Sequence, residues 1–580
     1  MDPKEEGANR SRRNFIKGSA LASAAVALGG TASCSSPSGD RDWSREADVL
    51  IVGTGAAGMA AAIAVIQAGG SVLMLDKASV TGGTTAKSAG AYWIPNNHHM
   101  QAEGTADPKA DAVAYMARDA YPAKFVLDDP QHGLSENEYG LIETYYDNAS
   151  SVIEELESLG AIKSVIAPVY DYMDHTPLNK VPRGRALVPL KPDGEWGRGV
   201  ELVRQLKSWL REKQAEFLVD HEVTALERNA DGEVIGVAVT TPEGAQLFRA
   251  KKGVIFATGG YSQNRAALET YQLGTIYGAC SVPTAQGDFL RIAGEASAMM
   301  GNMSSAWRSE VIVEQALQSR SVAVTLEFPP GDSMIIVNGR GKRVYNEKRN
   351  YNVRGRAHFQ LDQMENDYPN DLLYMIFDRR TIELFAGNMS LPEAGSSADY
   401  VISGDSLAGL AAAIQKRLDN MSPQIGPRRL APDFTTGLQS QIAVFNRDAR
   451  TGVDTEFQRG KYPYDIDWHT LVDSVEVEGT QWPSNNLPNP TMYPIADEGP
   501  YYAIILGGGM LDTNGGPVIN PSGQVLDYSG QPIAGLYAAG NCAASPNGEG
   551  YWGGGATLGP AMTFGTIGAR SLMAEANKDA

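Results

Sequence analysis

The feature that most constrains this chain is a glycine-rich turn set between a buried strand and a helix. In chain order its parts are a strand at 48–52, the glycines Gly53, Gly55 and Gly58, a helix at 59–67, a second strand at 71–75 and Asp76. Gly53 permits the tight turn, Gly55 lets the backbone approach a pyrophosphate, and Gly58 lets helix and strand pack closely. The helix N-terminus offers free N–H groups to phosphates, and Asp76 can accept hydrogen bonds from ribose hydroxyls. The sequence therefore predicts a dinucleotide-binding α/β fold.

Three further regions favour FAD over NAD. A run of small residues at 81–90 lets the chain pass over a flavin and its ribityl phosphate. A meander with an Asp231-Gly232 turn then returns to the dinucleotide, with predicted strands at 222–228, 234–240, 244–249 and 253–256. Near the C-terminus a strand at 536–541 precedes a glycine cluster at 553–559 and a helix at 560–575. The N-terminus of that helix can stabilise an anionic reduced flavin.

These regions predict a non-covalent FAD site. The residues that we expect to contact FAD are Gly53, Gly55, Ala56, Ala57, Gly58, Asp76, Lys77, Gly82, Gly83, Thr84, Thr85, Ser88, Ala89, Gly90, Val223, Ala257, Thr258, Gly259, Asp288, Gly540, Asn541, Ala556, Thr557 and Leu558.

Composition narrows the partners and the chemistry. The formal charge of −19 argues against a nucleic acid or an anionic membrane as the main partner. Three Cys cannot build a disulfide framework, and no Cys-x-x-Cys is present. No pair of the seven His has the spacing of a zinc motif, so we expect no metal, haem or iron–sulfur centre. Electrons taken from a substrate must then leave to an external acceptor, which is a quinone, a soluble carrier or oxygen.

The first 34 residues are typical of an export signal. Residues 11–17 form a twin-arginine pattern, and the small and apolar run at 18–32 is too short and too weakly apolar to span a membrane. We expect export of the folded protein to the periplasm or cell envelope. Cys34 is a candidate for lipid attachment, and so for peripheral membrane association, with simple cleavage nearby as the alternative. No later stretch is apolar for 18 residues, so we expect no transmembrane helix.

Four longer segments carry a resemblance to a known family, at 93–97, 445–454, 500–503 and 555–565. With them the sequence resembles the fumarate reductase/3-ketosteroid dehydrogenase superfamily of flavoproteins, and within it the 3-ketosteroid Δ1-dehydrogenases. The resemblance implies an α/β fold, in which a Rossmann-like FAD-binding domain of the glutathione-reductase type carries an inserted α+β catalytic domain. We place a signal at 1–34, a linker at 35–44, the FAD-binding domain at 45–305 and 495–580, and the catalytic domain at 306–494.

The resemblance also assigns catalytic residues by position. Tyr351 stands four residues after Glu347, where the dehydrogenases have a catalytic Tyr and the fumarate-type reductases an Arg. Tyr551 stands four residues before Gly555, the spacing of the Tyr and Gly that hold the ketone oxygen in the family. Tyr172 is similar to the family's supporting Tyr. Neighbours compete for these roles, namely Arg349, Arg354 and Arg356 for a reductase's Arg, and Tyr121, Tyr145, Tyr146 and Tyr170 for the supporting Tyr.

These residue types suit the removal of two hydrogens beside a ketone. The Tyr551 hydroxyl and the Gly555 N–H would stabilise the enolate-like charge on the ketone oxygen. Tyr351, as a phenolate or close to it, would take the α-proton, although the pKa of a free Tyr is about 10. Tyr172 would supply a hydrogen bond or a proton path, and the flavin N5 would accept the β-hydride. The resemblance therefore implies FAD-dependent Δ1-dehydrogenation of a 3-ketosteroid.

Two departures from the family pattern leave the substrate open. Trp552 follows Tyr551 where the steroid enzymes usually have Pro, and Glu549 stands where His is expected. A Trp beside the ketone would narrow the pocket or lie against a ring face, so a smaller ring such as cyclohexanone is the first alternative. The others are an exported fumarate-reductase-like enoate reductase and a FAD-binding protein without catalysis.

Overall fold

The computed structural model of the protein describes residues 41–472, 474–475 and 482–579. From Trp43 onward the described residues form one compact unit. The signal segment with Cys34 lies outside the described residues. Trp43 and Ser44, which the sequence analysis placed in a linker, belong to the first strand instead. Of the helices in the described ranges, none is both long enough and apolar enough to cross a membrane.

Strands and helices alternate along the described unit, as the predicted α/β fold class requires. The strands are β1 (Trp43–Val52), β2 (Val72–Leu75), β3 (Tyr92–Trp93), β4 (Ser164–Ile166), β5 (Ala186–Pro189), β6 (Glu216–Leu218), β7 (Glu222–Arg228), β8 (Val234–Thr241), β9 (Gly244–Phe256), β10 (Gly278–Ala279), β11 (Met300–Gly301), β12 (Ala306–Ile312), β13 (Met334–Asn338), β14 (Leu372–Asp378), β15 (Ile402–Gly404), β16 (Tyr501–Thr513), β17 (Gly516–Pro517), β18 (Gln524–Leu526) and β19 (Pro532–Ala538). The α-helices are α1 (Ala56–Gln67), α2 (Gly83–Lys87), α3 (His98–Ala102), α4 (Lys109–Ala120), α5 (Glu136–Ser158), α6 (Gly199–Glu212), α7 (Arg265–Tyr271), α8 (Asp288–Glu295), α9 (Val313–Gln318), α10 (Tyr351–Gly355), α11 (Arg379–Leu384), α12 (Leu407–Ile425), α13 (Phe434–Thr451), α14 (Pro463–Thr470) and α15 (Leu558–Ala574), with 3₁₀ turns at Arg356–Phe359 and Gly540–Cys542.

An eight-stranded sheet carries the dinucleotide motif, in the order β18-β19-β9-β1-β2-β6, with β8 also paired to β9 and β7 to β8. Its strand β1 pairs in parallel with β2, where Val52 faces Leu75, and with β9, where Val52 faces Phe256. Parallel strands are covered on both faces, so they form continuous apolar runs that can be recognised in a sequence. The predicted strands of this sheet are confirmed with two differences. The segments predicted at 244–249 and 253–256 form one continuous strand, β9, and the strand predicted at 536–541 is β19, Pro532–Ala538, which ends before the 3₁₀ turn Gly540–Cys542.

Helix α1 is held against β1 at very close range. A Cβ atom on Gly58 would lie 2.1 Å from the carbonyl oxygen of Gly53 and 3.2 Å from Cγ2 of Ile51. On the other side of α1, a Cβ on Gly565 of α15 would lie 2.4 Å from the carbonyl oxygen of Ala57. Only hydrogen fits at these two positions, so the N-terminus of α1 has a fixed place at the carboxyl end of β1.

A second sheet of six strands is built around β16. This strand pairs in antiparallel fashion with β12, β14 and β15 and in parallel with β10. Helix α10, which begins at Tyr351, packs on β12, because the Asn352 side chain accepts a hydrogen bond from the Arg308 N–H at 2.9 Å. A Cβ on Gly355 would lie 2.8 Å from the backbone nitrogen of Ser309. The second sheet therefore fixes the position of Tyr351.

Two smaller sheets complete the unit. The second sheet, of six strands, does not follow the predicted domain boundaries. One small sheet has the order β3-β5-β4, and the other pairs β11 with β17. The sequence analysis placed 278–279 and 501–513 in the FAD-binding domain, whereas β10 and β16 belong to the second sheet. Sheet membership thus crosses the boundaries at 305 and 494, and the division into two domains stays a prediction.

Gly58→Ala is expected to lower the free energy of unfolding by roughly 1–3 kcal/mol, since its methyl group collides with a backbone carbonyl that cannot move without the strand. The matched control is Gly294→Ala in α8, where the nearest atom to a Cβ, Cε of Met300, lies 3.9 Å away. That change should be neutral or stabilise by up to about 1 kcal/mol through helix propensity. Urea unfolding of the two variants is the measurement, and equal effects would contradict the expectation.

Candidate active site

A cavity of about 440 Å³ opens beyond the carboxyl ends of the parallel strands. Residues that follow β1, β2, β9 and β19 line it, among them Gly53, Asp76, Ala257 and Ala539. Ligands of open α/β sheets bind at this edge, and the volume lies within the range of about 300–1,000 Å³ that is usual for small-molecule sites. The cavity continues to a group of tyrosines that includes Tyr351.

The first end of the cavity is formed by the turn before α1. The Ala56 N–H donates to Oγ1 of Thr85 at 3.0 Å, which ties the start of α1 to α2. Asp76 accepts hydrogen bonds from the Thr54 N–H at 3.1 Å and from the Ala78 N–H at 3.0 Å. The carboxylate is therefore oriented by the backbone around it, and Oδ1 keeps a lone pair for a further donor such as a ribose hydroxyl.

All but three of the residues predicted to contact FAD line this cavity. The exceptions are Gly58, Gly82 and Ala556, which lie in the backbone behind its wall. Gly58 packs on β1, the Gly82 N–H donates to Oγ1 of Thr54 at 3.0 Å, and the Ala556 N–H donates to the Gly553 carbonyl at 3.1 Å. These contacts shape the loops around the cavity, and contact of the three residues with FAD stays a prediction.

The donor set fits FAD. The first-turn N–H groups of α1 can hold the pyrophosphate, and Asp76 can hold the ribose. The small residues of α2 and the loop after it leave room beside the turn for a flat ring system. Thr557 and Leu558, at the start of α15, place a second helix N-terminus on the cavity. A helix N-terminus stabilises negative charge, as a reduced flavin requires.

Three phenols meet at the other end of the cavity. The centroids of the rings lie 5.2 Å apart for Tyr172 and Tyr351, 5.0 Å for Tyr172 and Tyr551, and 5.6 Å for Tyr351 and Tyr551. The Tyr172 hydroxyl donates a hydrogen bond to the Tyr351 oxygen at 2.7 Å. The structure thus brings together the three tyrosines that the sequence analysis selected.

Gly555 lies beside this group with its backbone in the left-handed region, at a φ of 95°. A Cβ here would lie 2.4 Å from the backbone nitrogen of Tyr92, so only glycine fits. Its carbonyl accepts a hydrogen bond from the Trp93 N–H at 3.0 Å. Within the described ranges the Gly555 N–H donates no hydrogen bond, so it is free to donate to a ligand in the cavity.

Backbone contacts hold the phenols in place. Arg349 and Asn350, the two residues before Tyr351, donate side-chain hydrogen bonds to the Tyr172 carbonyl at 2.8 and 3.0 Å. The Tyr172 N–H donates to the Trp552 carbonyl at 3.2 Å, which joins it to the segment of Tyr551. The three segments are therefore linked to one another independently of any ligand.

Burial raises the pKa of all three phenols. The pKa of Tyr351 lies well above 10, because burial disfavours the phenolate and because negative charge on Tyr172, Tyr551 or Glu327 would repel it. Burial also raises the pKa of Tyr172 well above its ordinary value, and that of Tyr551 to about 12. The phenols are therefore protonated at neutral pH. This state suits Tyr551 as a hydrogen-bond donor, whereas Tyr351 needs an acceptor for its proton before it can act as a base.

The competing residues of the sequence analysis have other partners. Arg349 pairs with Asp174 and Asp465, Arg354 pairs with Glu310, and Arg356 lies 3.7 Å from Glu549, and none of the three arginines lines the cavity. Among the competing tyrosines, Tyr145 donates to the Trp93 carbonyl and Tyr146 to the Asp107 carbonyl. Of Tyr172 and the tyrosines that compete with it, only Tyr172 lines the cavity.

Trp552 does not lie beside the ketone pocket, and the suggestion that it narrows the pocket is wrong. Its ring is fully buried and packs against Trp93 and Tyr145 at centroid distances of 5.4 and 5.6 Å. Its indole N–H donates to the Met116 carbonyl at 3.1 Å. The ring turns into the core because its neighbours there are aromatic and offer an acceptor.

Several lining residues were missed by sequence reasoning, namely Lys87, Arg198, Trp307, Glu327, Phe328 and Trp468. The Phe328 and Trp468 rings stack at a centroid distance of 4.5 Å and form one apolar wall. Small apolar residues form another part, with Ala167, Val169, Ala186 and Val188. These residues come from separate stretches of the chain and belong to no motif, so no local signal marks them.

One group of possible metal ligands also escaped the sequence analysis, outside the cavity lining. The ligand atoms of His98, His99 and Glu157 lie within 4.8 Å of one another. Nε2 of His98 and Nε2 of His99 lie 2.8 and 3.2 Å from the two Glu157 oxygens. The sequence analysis considered only the spacing between histidines, so it missed this group, in which the third ligand is the distant Glu157. The expectation that the protein has no metal centre stays a prediction.

Comparison with known proteins gives two family matches. Residues 48–558 match a family described as FAD binding domain, and residues 11–29 match the TAT (twin-arginine translocation) pathway signal sequence. The predictions of FAD as the cofactor and of twin-arginine export to the periplasm or cell envelope are confirmed.

Similar characterised proteins align over most of the chain. A 4-oxocyclohexanecarboxylate 2-dehydrogenase of Sinomonas cyclohexanicum is 31% identical over 568 residues, which cover 91% of this chain and 93% of that protein. A 3-oxosteroid 1-dehydrogenase of Mycobacterium tuberculosis (strain H37Rv) is 30% identical over 607 residues, with 92% and 99% covered. The crystal structure of 3-ketosteroid delta1-dehydrogenase from Sterolibacterium denitrificans, in complex with 1,4-androstadiene-3,17-dione, has the same fold, with a TM-score of 0.75 at 24% identity and coverage of 91% and 100%.

Arg349→Met is expected to lower the free energy of unfolding by about 3–5 kcal/mol, because it leaves the buried carboxylates of Asp174 and Asp465 without this cation. The matched control is Arg265→Met, which removes an exposed pair with Glu269 and should cost less than about 1 kcal/mol. Urea unfolding measures both changes. A cost for Arg349→Met no larger than that of the control would contradict this account.

Proposed function

The chain belongs to the FAD-binding domain family, and we propose that it is a dehydrogenase that converts a cyclic ketone into its α,β-unsaturated ketone. The first substrate class is a 3-ketosteroid, which undergoes Δ1-dehydrogenation. The observation that carries the proposal is the group of Tyr172, Tyr351 and Tyr551 on the same cavity as the dinucleotide turn. Phenols that can donate hydrogen bonds, and that can accept a proton once deprotonated, thus line the cavity in which we propose that the flavin binds.

The ketone oxygen is held by two donors. The Tyr551 hydroxyl and the Gly555 N–H both line the cavity, and each donates a hydrogen bond to the ketone oxygen. Both donors are fixed before the substrate arrives, so they stabilise the enolate-like oxygen without reorganisation. This polarisation makes the α-proton acidic enough for a protein base to remove.

Tyr351 receives the α-proton on its oxygen. The Tyr172 hydroxyl, 2.7 Å away, donates to that oxygen and stabilises the charge that develops there when Tyr351 is deprotonated. When bound, FAD supplies the acceptor of the β-hydride. The buried setting keeps water from competing for either hydrogen.

The walls of the cavity support a fused-ring substrate. Phe328 and Trp468 offer flat aromatic surface, and small apolar side chains line the region around Val169 and Val188. Such walls bind carbon rings by the hydrophobic effect, because contact removes apolar surface of both the ring and the wall from water. Because Trp552 is buried in the core, it gives no reason to prefer a smaller ring.

A second candidate is a smaller cyclic ketone with a carboxylate, the kind of compound that the name of the Sinomonas relative gives. Arg198 is the observation that favours it. This arginine lines the cavity, and its guanidinium forms no ion pair in the part of the chain that the structure describes. It is therefore free to bind a carboxylate at the far end of a short ring.

A fumarate-type reductase would need an arginine at the position of Tyr351 to donate a proton. Arg349, Arg354 and Arg356 are engaged with carboxylates outside the cavity lining. Tyr351 occupies the position of that arginine, and its neutral phenol offers no positive charge to an anionic substrate. The arrangement therefore supports dehydrogenation.

The electrons leave to an acceptor outside the chain, since the sequence holds no haem or iron–sulfur motif. A quinone, a soluble carrier or oxygen would serve, and all are accessible to an exported protein. Attachment of a lipid at Cys34 would place the enzyme next to membrane quinones.

Anaerobic addition of 4-androstene-3,17-dione is expected to bleach the flavin absorbance of the purified holoprotein and to yield the 1,4-dien-3-one. Parallel samples receive cyclohexanone, 4-oxocyclohexanecarboxylate, or dithionite followed by fumarate. If only a small ketone bleaches the flavin, the proposed mechanism stands but the substrate is a small cyclic ketone and not a steroid. Reoxidation by fumarate without bleaching by any ketone would assign a reductase instead.

Tyr551→Phe is expected to lower kcat with the preferred ketone by about 100- to 1,000-fold, because the oxyanion loses one of its two donors. Tyr351→Phe should cost about 100- to 10,000-fold, since the α-proton loses its acceptor. Tyr528→Phe is the control, because Tyr528 is 72% exposed and lies outside the cavity lining. Steady-state rates with an artificial electron acceptor measure all three. Full activity of Tyr351→Phe would show that another group is the base.

A further inference from the structure

His98, His99 and Glu157 form a group of metal-binding side chains outside the cavity lining. The two histidines are the first residues of α3, and Glu157 lies near the end of α5. Nε2 of His98 lies 2.8 Å from one Glu157 oxygen, and Nε2 of His99 lies 3.2 Å from the other. Bonds of about 2.0–2.1 Å to a tetrahedral Zn²⁺ place neighbouring ligand atoms roughly 3.3 Å apart. Small side-chain rotations are therefore enough for the three residues to hold one ion.

The start of α3 has a fixed position because of Asn97. This residue caps the helix, and its side chain donates hydrogen bonds to the carbonyl oxygens of Ile94 and Gly184 at 3.0 and 2.9 Å. The His98 and His99 rings lie side by side, with their centroids 4.1 Å apart. The two imidazoles therefore face the carboxylate from a backbone that is held in place without an ion.

The Glu157 carboxylate is oriented by Ser164 of β4. The N–H of Ser164 donates to Oε1 of Glu157 at 3.1 Å, and the hydroxyl donates to the same oxygen. Hydrogen bonds of this kind orient carboxylates that bind metal ions. Within the ranges that the structure describes, no Lys or Arg pairs with Glu157, and its ion-pair partners are the two imidazoles. Its side chain is 19% exposed, so an ion can reach it from solvent.

A buried hydroxyl beside the carboxylate has no partner. Tyr92 of β3 is fully buried, and its hydroxyl makes no hydrogen bond with any described residue. Burial raises the pKa of Tyr92, the nearby Ser164 hydroxyl lowers it, and the charge of Glu157 raises it further, so the phenol lies close to the metal-binding group. Buried polar groups normally have a partner. A water bound to an ion at this place would supply an acceptor for the phenol.

We propose that His98, His99 and Glu157 bind one divalent transition-metal ion, and that this ion is Zn²⁺. Imidazole and carboxylate ligands suit Zn²⁺, and three protein ligands leave a fourth position for water. The ion joins the start of α3 to the end of α5, beside the small sheet β3-β5-β4. The proposal departs from the expectation of no metal centre, and it does not rest on the proposed dehydrogenation.

The role of the ion is to hold the support of the cavity wall. Strand β5 of the small sheet contributes Ala186 and Val188 to the lining. Its neighbour β4 carries Ser164, which contacts Glu157. An ion bound at Glu157 therefore stabilises this sheet together with the two helices and takes no part in the chemistry.

Hydrogen bonding alone is the alternative to a metal site. Without an ion, an imidazole N–H of His98 and one of His99 donate to the Glu157 carboxylate. An ion replaces both hydrogen bonds, since each Nε2 must then offer a lone pair in place of a hydrogen. Only the metal site binds Zn²⁺ saturably, at one ion per chain.

Calorimetric titration of Zn²⁺ into the untagged, metal-free holoprotein is the test. One ion per chain should bind, and excess Mg²⁺ should not compete, because imidazole is a poor ligand for Mg²⁺. Ser164→Ala removes only the hydroxyl that orients Glu157 and should weaken binding about 10- to 100-fold. Glu157→Gln and His99→Gln each remove a ligand, so they should weaken binding by more than about 100-fold.

Two matched controls change the same residue types elsewhere. Glu154→Gln alters an exposed glutamate of α5, and His132→Asn alters a histidine outside the group, at a positive φ that Asn tolerates. Both should bind Zn²⁺ as the wild type does. Absence of saturable binding by the wild type would overturn the proposal, as would binding that Glu157→Gln and His99→Gln leave unchanged. Flavin content and circular dichroism check that each variant is folded.

A second measurement uses the wild-type protein. In crystals grown with Zn²⁺, an anomalous difference map should contain a peak about 2.0–2.2 Å from Nε2 of His98, Nε2 of His99 and a Glu157 oxygen. In solution, Zn²⁺ at about 100 times its Kd should raise the melting temperature by roughly 2 °C, and Glu157→Gln should remove this rise. A peak at other residues would overturn the proposal. A peak at these residues without saturable binding in solution would show an adventitious ion only and would overturn it as well.

Discussion

The candidate active site depends on one acceptor, the carbonyl oxygen of Tyr172. Two stretches of chain that are 177 residues apart meet there, because the Arg349 and Asn350 side chains both donate hydrogen bonds to it. These donors directly precede Tyr351, so the same contact sets the distance of 2.7 Å between the Tyr172 and Tyr351 oxygens. A hydrogen bond from a charged donor contributes only about 1.5–3 kcal/mol. Its main contribution here is geometric, since a shift of the carbonyl would separate the two phenols.

Buried ion pairs hold the loop that brings these donors to the site. Arg343 pairs with Glu347 at 2.8 Å and with Asp454 at 2.9 Å, and all three side chains are fully buried. Although burial raises the pKa of Glu347, Arg343 lowers it below the ordinary value, so the carboxylate stays charged. Arg459 approaches the same carboxylate at 3.4 Å. Such a network costs several kcal/mol when one partner is removed, and it gives the loop a single conformation.

Most titratable groups in and behind the cavity wall keep a single protonation state near neutral pH. Burial keeps the phenols neutral, and the ion pairs keep the carboxylates behind them charged. Glu327 is the exception, because it faces the cavity without a hydrogen-bond donor in the described residues, and burial raises its pKa to about 7 while Arg198 limits the rise. The cavity thus combines neutral phenols with one carboxyl that titrates near neutral pH. The cavity exists only in the folded protein. Export by the twin-arginine pathway agrees with this requirement, because that pathway carries folded proteins.

The sequence by itself determined the dinucleotide motif, the parallel strands around it and the export signal, because each depends on residues that are close together along the chain. It also selected Tyr351, Tyr551 and Gly555 through their spacing in a family pattern. It also selected Tyr172 as the third phenol, but only the tertiary structure separated it from its competitors, since its partner Tyr351 is 179 residues away. The same holds for Trp552, which its aromatic neighbours draw into the core, and for Glu327, which no motif marks. The physical reason is that burial, charge and hydrogen-bond partners arise where distant segments pack, and local sequence does not encode which segments those are.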